Sequence, residues 1–380
     1  MRKALFWGAG ALVGYTYVGF PLLMLARGAL LRRAYRAEDR TPPVSVVIAA
    51  HNEAPVIGGK VENLLALDYP RDRLEIVIAS DGSDDGTDEI VRRYEDDRVR
   101  LLALPRDGKA AALNAAIESS RGEVLVFSDA NSMLDRQALR ALVRPLADPA
   151  VGGVAGDQRY LADGALGGTA VGERGYWGFD RLMKLSASRA GSVTGATGAL
   201  YAVRRELVRP LRPDVNDDFL NSLRVIAAGY RLVFAPDAVA WEPVAESPEE
   251  EFGRKVRVMV RGLRCVFVMR ELLDPRRHRF FALQLLSHKV LLRTMVVPLS
   301  LLAATSPLLW RKGRIYKAAT LAQTVLYGTG AAGILLARRP IGSSKLLALP
   351  AYFCLVNSAS AVALWKLLRR EQLGLWTTRR

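Results

Sequence analysis

The chain is poor in the residues that build stapled or metal-rich scaffolds. It has two cysteines, Cys265 and Cys354, and three histidines in 380 residues. Two cysteines rule out a disulfide framework, and neither has a Cys or His neighbour at zinc-site spacing. No Gly-x-Gly-x-x-Gly or P-loop signature follows any predicted strand, which removes dinucleotide and P-loop ATP readings. Half of the residues are apolar, far more than a disordered basic chain carries, so a sizeable core is available.

Acidic residues are scarce only at the two ends. The chain has 54 Lys and Arg against 38 Asp and Glu, a formal charge of +16. Residues 41–250 hold 24 basic and 32 acidic residues, a net of −8, leaving +24 for the flanks. A nucleic-acid module places its basic residues on the globular domain itself. Here the globular middle is acidic, so no nucleic-acid partner is expected and basic flanks at a membrane are.

The flanks also hold the long apolar runs. Ala4–Ala26 contains no charge, enough for a bilayer-spanning helix. Arg2 and Lys3 resemble the start of a signal peptide, but the run is too long and ends in Arg27, Arg32, Arg33 and Arg36, the pattern of a retained anchor. Val290–Leu309 is apolar apart from Arg293, and Ala318–Ala337 and Leu346–Leu364 are uncharged. These read as about three further spans, with Pro298 and Pro307 allowing a kink or an early end. The positive-inside bias puts residues 27–280 in the cytoplasm. Simple alternation would then put Arg311, Lys312, Arg314 and Lys317 outside, and Phe280–Arg293 also reads as an interfacial segment, so the span count stays open. The expected organisation is an anchor and basic linker over 1–40, an α/β domain over 41–250, a basic amphipathic segment over 251–285, and membrane helices over 286–380.

Within the middle, Val44–Ala50, Leu74–Ala79, Val99–Leu104 and Glu123–Phe127 read as buried strands, separated by helical patterns near Ala54–Leu67, Asp85–Tyr94 and Lys109–Glu118. That alternation predicts a parallel sheet with right-handed crossovers and a ligand site at the carboxyl ends of the strands. The polar residues at those ends are His51-Asn52-Glu53, Ser80–Thr87, Arg106–Lys109 and Ser128-Asp129-Ala130-Asn131. Carboxylates at several strand ends with one lysine suit a divalent cation holding a diphosphate. Asp84, Asp85 and Thr87 have an alternative role as helix caps, Glu53 as a first-turn acid and Lys109 as an exposed helix residue. Asp129, directly after an apolar strand, is the best placed for a ligand.

The runs VSVVIAAHNE, SDGSDDGT, GKAAALNAA and VFSDAN, followed by GATGALYAVRR (Gly195–Arg205) and Asn216–Glu242, resemble family 2 glycosyltransferases with the GT-A fold. The resemblance covers roughly Val44 to Arg264, and the flanks resemble the integral-membrane branch that includes cellulose, chitin and hyaluronan synthases. It implies a Rossmann-like, mostly parallel α/β sheet. It also implies that Asn52, Glu53 and Asp81 contact the base and ribose of a nucleotide-sugar, most often a UDP-sugar, with Lys109 near the diphosphate. Asp129 and Asn131 match the D-x-D element that carries Mg2+ or Mn2+, with an amide replacing the second carboxylate. Asp217 and Asp218 stand at the family's acidic pair, whose second member is the general base; both also suit the start of a helix over Phe219–Ala228. Arg257 matches the arginine of Q-x-x-R-W, whose glutamine and tryptophan are missing here. The bland reading of Arg254, Lys255, Arg257, Arg261 and Arg264 is a basic face toward anionic lipid. Tyr176, Trp177 and Phe179 read as core or as a sugar platform.

The expected function is inverting, metal-dependent transfer of a sugar from a nucleotide-sugar to a lipid-linked saccharide or polysaccharide, at a bacterial inner membrane with the catalytic domain cytoplasmic. The alternatives are a processive polysaccharide synthase, with a homo-oligomer or export partner, and a membrane-anchored nucleotidyltransferase. The latter calls for a Gly-rich basic loop after the first strand, where this chain has His51-Asn52-Glu53.

Overall fold

A computed structural model describes residues 1–161, 168–243, 248–337, 339, 341 and 344–371, with side chains left undescribed at 168–177 and 248. The chain divides into two compact units. One gathers residues 28–161 and 184–243 into an α/β body; the other gathers 1–27, 168–183 and 248–371 into helices.

The α/β unit is built on strands β1 Val44–Ala50, β2 Leu74–Asp81, β3 Val99–Leu104, β4 Val124–Phe127, β5 Met133–Leu134, β6 Val151–Tyr160, β7 Tyr201–Arg204 and β8 Arg231–Glu242. They form one sheet in the order β3-β2-β1-β4-β7-β6-β8-β5. The first half, β3-β2-β1-β4, is parallel throughout, as the alternating pattern predicts. Beyond β4 the sheet is mixed: β7 runs antiparallel to β4 and β6, β8 is parallel to β6, and β5 is antiparallel to β8. The reversal matters for function. Phe127 of β4 pairs with Tyr201 of β7, so the end of one strand and the beginning of the other share an edge.

Both sheet faces are covered, which is why β1 is buried at every position. Val44, Val46, Ile48 and Ala50 join one core cluster with Ile57, Val61 and Leu64 of the helix Ala54–Leu65 and Leu139 and Leu142 of the helix Ala138–Val143. The alternate face carries the helix Lys109–Ser119, which packs on β1 and β2 through Ala112, Leu113 and Ala116.

The expected boundary at residue 41 differs from the observed one, since residues 28–40 cluster with the α/β unit. Arg231, only 5% exposed, explains the difference. Its guanidinium donates to the carbonyls of Arg33, Ala34, Ser188 and Gly191 at 3.0–3.2 Å and lies over the Tyr35 ring.

In the helical unit, Arg2–Leu30 and Lys345–Leu368 are long and apolar enough to cross a membrane. The expected span over Val290–Leu309 is instead broken: Phe280–Thr294 and Val296–Leu308 meet at 54° and together make at most a third crossing. Pro298 accounts for the break, because it cannot donate to the Thr294 carbonyl and its ring crowds that carbonyl. The expected span over Ala318–Ala337 is a helix, Arg314–Leu335, but it falls short of the apolarity of a crossing segment. Thr320, Gln323, Thr324 and Thr329 lie along it. Among the described residues, one C-terminal helix and one bent pair are long and apolar enough to cross, beside about three spans expected. Phe179 is 44% exposed rather than core, and the side chains of Tyr176 and Trp177 lie outside those described.

Arg231→Met should take the donor from four carbonyls, that of Ser188 buried, at a cost of about 1–3 kcal/mol. The expected outcome is a lower melting temperature of the full chain in detergent, with faster tryptic cleavage at Arg33. An unchanged cleavage rate would show that Arg231 does not hold the linker.

Candidate active site

The loops after β1, β2 and β4, and the segment before β7, converge on one edge of the sheet. Lys109 opens the helix Lys109–Ser119, and its ammonium lies 2.9 Å from Asp129 Oδ1 and 3.5 Å from Asp217 Oδ1. Burial opposes the charge on Lys109, but Asp129, Asp217 and Asp218 outweigh it and hold its pKa above the ordinary lysine value. In return, Lys109 and the buried Lys60 hold the Asp129 carboxyl below its ordinary range against the effect of desolvation. Four of the residues singled out from sequence, Lys109, Asp129, Asp217 and Asp218, are thus one electrostatic cluster.

The two acids of the pair are not equivalent. Both lie in the first turn of the helix Asp217–Ala227, whose N-cap is Asn216, so the expected start at Phe219 moves back to Asp217. Lys109 pairs with Asp217. Asp218 accepts from the Phe219 N–H at 2.7 Å, yet desolvation and the charge of Asp217 raise its pKa to about 7. A carboxyl raised in this way can exchange a proton near neutral pH, which suits Asp218 to proton transfer. The loop before the pair is tied down by Asn114, whose amide donates to the Leu211 carbonyl and accepts from the Leu211 N–H.

Asp129 is partly open, with its side chain 37% exposed. A Cβ at Gly198 would stand 2.7 Å from Asp129 Oδ2, so the carboxylate holds its present place only beside a glycine and would have to shift for any larger residue. Gly198 belongs to the GATGALYAVRR run and is brought to Asp129 by the β4–β7 pairing. Below them Phe127 and Tyr201 stack at 4.7 Å, and the buried Tyr201 hydroxyl accepts from Asn221.

Three expected nucleotide contacts are engaged within the protein. Asp81 is 1% exposed; its carboxylate pairs with Arg106 and accepts from the Asp107 and Gly108 N–H groups at 2.8 Å. Asn52, at φ 55°, exchanges hydrogen bonds with Asp84: its amide donates to the carboxylate at 2.8 Å and accepts from the backbone N–H at 3.0 Å. Glu53 is buried, and its N–H donates to Thr87 Oγ1. Asp85 performs the expected capping in an unexpected way. One oxygen takes the Thr87 N–H and the other takes the Ala54 N–H of the preceding helix, which joins the β1 and β2 loops.

Arg257 lies in the helix Pro248–Val268, in the helical unit. Burial and the neighbouring Arg254 lower its pKa. Arg254 and Lys255 both pair with the fully buried Glu251, so they are not simply a lipid-facing surface.

A divalent cation fits the donors present. Among the described residues no group of three or more His, Cys, Asp or Glu could hold a metal, but Mg2+ and Mn2+ on a diphosphate need only one or two protein oxygens. Asp129 Oδ2, in the space left by Gly198, and the Asn131 amide, which has no hydrogen bond among the described residues, are suited to supply them.

Sequence reasoning missed Lys60 and the role of Gly198, and placed Arg106 at a strand end without foreseeing its pairing with Asp81. Lys60 had a readable signal: it shares the apolar helix face of Ile57, Val61 and Leu64.

Comparison with known proteins agrees with this geometry. Residues 42–264 match the model of glycosyltransferase-like family 2. Among curated relatives, the probable glycosyltransferase YdaM of Bacillus subtilis (strain 168) is 30% identical over 217 residues, covering 54% of this chain and 52% of that protein. The poly-beta-1,6-N-acetyl-D-glucosamine synthase of Staphylococcus aureus (strain COL) is 26% identical over 226 residues, covering 58% and 54%. The chain thus spans about half the length of each of these relatives. Among solved structures, a mannosyltransferase from Pyrobaculum calidifontis in complex with GDP-Man and Mn2+ is similar over 96% of this chain and 99% of that one, with 28% identity and a TM-score of 0.72. The family match spans more than half the chain, across the whole Lys109–Asp129–Asp218 cluster, and the chain belongs to glycosyltransferase family 2 as a GT-A-fold transferase.

Proposed function

We propose that the protein transfers a sugar from a nucleotide-sugar to the hydroxyl of a lipid-linked saccharide or polysaccharide, with inversion at the anomeric carbon. The observation that carries this reading is the division of labour among Lys109, Asp129, Asp217 and Asp218. Lys109 pairs with Asp129 and Asp217, while desolvation and the charge of Asp217 raise the pKa of Asp218 to about 7. A sugar hydroxyl is a weak nucleophile and gains reactivity when a positioned carboxylate accepts its proton. Asp218 is that base, and Asp217 keeps Lys109 oriented.

Asp129 and Asn131 hold Mg2+ or Mn2+, which supplies stabilisation of charge on the departing diphosphate. Lys109 adds a cation at the same place, and the family resemblance assigns Arg257 to the diphosphate as well. Asn52, Glu53 and Asp81 form the nucleotide end of the site, with Arg106 paired to Asp81. UDP-sugars follow from the family resemblance. The likeness to a mannosyltransferase bound to GDP-Man makes GDP-mannose the first donor to test beside them.

The two crossing helices and the bent pair hold the enzyme at a membrane, the bacterial inner membrane in this reading, with the catalytic domain on the cytoplasmic side where nucleotide-sugars are made. A lipid-linked acceptor suits that placement. Single transfer is favoured over processive synthesis because Val258 stands where the acceptor-stacking tryptophan of the processive branch would be.

Two tests follow. The Asp218 base must be ionised, so kcat/KM should fall as pH drops through about 7. Asp218→Asn should lower kcat by about 10²–10⁴-fold and abolish that limb. A raised pKa means that folding favours the protonated carboxyl, so ionisation at pH 8 costs stability. Asp218→Asn should therefore melt no lower than wild type at pH 8, which separates catalytic loss from unfolding. Wild-type turnover in this variant, measured as nucleoside diphosphate release, would exclude Asp218 as the base. Gly198→Ala should displace Asp129 and raise the Mn2+ concentration for half-maximal activity by about tenfold or more; an unchanged Mn2+ requirement would place the metal elsewhere.

A further inference from the structure

Beneath the metal loop lies a lysine with no exposed surface. Lys60 projects from the helix Ala54–Leu65 into the core, 0% exposed among Ile57, Val61 and Leu64. An ammonium in such surroundings is costly unless it is hydrogen-bonded and faces opposite charge. Both conditions are met, and both partners belong to the same short loop. Lys60 Nζ donates to Ser128 Oγ at 2.8 Å and to the carbonyl of Ser132. These residues flank Asp129-Ala130-Asn131 on either side.

The contacts beyond the loop fix its two ends. Ser128 Oγ, accepting from Lys60, donates its own hydrogen bond to the Ala199 carbonyl at 2.7 Å, next to Gly198. Ser132 Oγ donates to Glu242, and Gln158 Nε2 donates to the other oxygen of that carboxylate. Glu242 is itself 8% exposed and lies at the end of β8. Burial pulls the Lys60 pKa down to about 7 even though the charges of Asp129 and Glu242 both support the ammonium.

We propose that Lys60 is a positioning residue for the catalytic metal: by bridging Ser128 and Ser132 from below, it sets the geometry in which Asp129 and Asn131 present their oxygens to a divalent cation on the donor diphosphate. This rests on the metal-dependent transfer proposed above. Lys60 touches neither donor nor acceptor in this account. A neighbour that orients metal-binding groups without binding the metal affects metal affinity by about 10–100-fold when removed.

The test is calorimetric titration of the full chain in detergent with UDP and with GDP, each with and without Mn2+. Lys60→Met, which keeps the side-chain length without the charge, should weaken the Mn2+-dependent part of nucleotide binding by about tenfold or more. Nucleotide binding without metal should be unchanged, and excess Mn2+ should restore the bound fraction, which a general loss of packing would not allow. Ser128→Ala keeps Lys60 and removes one end of the bridge. It should give a smaller loss in the same direction, and it carries the test should Lys60→Met fail to fold. Wild-type Mn2+ coupling in a folded Lys60→Met, or in Ser128→Ala where the lysine variant does not fold, overturns the proposal. A loss of metal-free binding equal to the loss with Mn2+ also overturns it, by showing a structural role. Absence of Mn2+-dependent binding of either nucleotide in the wild type overturns the metal-dependent reading itself and this proposal with it.

Discussion

The site depends on one ammonium shared between two carboxylates. Lys109 reaches Asp129 after β4 and Asp217 in the first turn of a helix nearly ninety residues further along. Three negative groups gathered at the edge of a sheet would repel one another and drift to higher pKa values. Lys109 holds the Asp129 carboxyl low, while desolvation and the charge of Asp217 raise Asp218. The cation and the buried acid pair thereby separate the group suited to metal from the group suited to proton transfer.

The backbone makes that meeting possible. Parallel strands β1, β2 and β4 deliver their carboxyl ends to one edge, where ligands of open α/β sheets bind. The antiparallel β7 then brings its leading segment to the same edge, so Gly198 lies against Asp129 and Tyr201 under the acids. Helices on both faces keep the sheet interior apolar, which makes every charge near the site costly unless paired. The paired network around Asp81, Lys60 and Glu242 is the consequence: each buried charge in it has hydrogen-bond partners of its own.

Much of this was legible in the sequence where local pattern decides structure. Val44–Ala50 appears as the buried strand predicted, because such strands are short apolar runs with clear ends, whereas Val99–Leu104 is a strand as expected but lies at the sheet edge with no residue fully buried. Asp129, Lys109 and Asp218 were legible because they follow such runs or occupy motif positions. The mixed half of the sheet was not, since the direction of β7 depends on long-range pairing with β4 and not on its own residues. Nor was the commitment of Asp81 to Arg106, because a carboxylate at a strand end looks the same whether a ligand or a neighbouring arginine claims it. The bend at Met295 shows the converse. An apolar run predicts a span by composition, while one proline three residues on breaks it by removing a donor.

The central claim is that this cluster transfers a sugar from a nucleotide-sugar with a metal and a carboxylate base. The most direct measurement is nucleoside diphosphate released by the detergent-purified full chain, incubated with membrane lipid extract and, in turn, UDP-sugars and GDP-mannose. The account predicts release from at least one donor that requires Mn2+ or Mg2+, stops on chelation and is lost in Asp218→Asn. Release from none of them, or release indifferent to both chelation and Asp218→Asn, would contradict it.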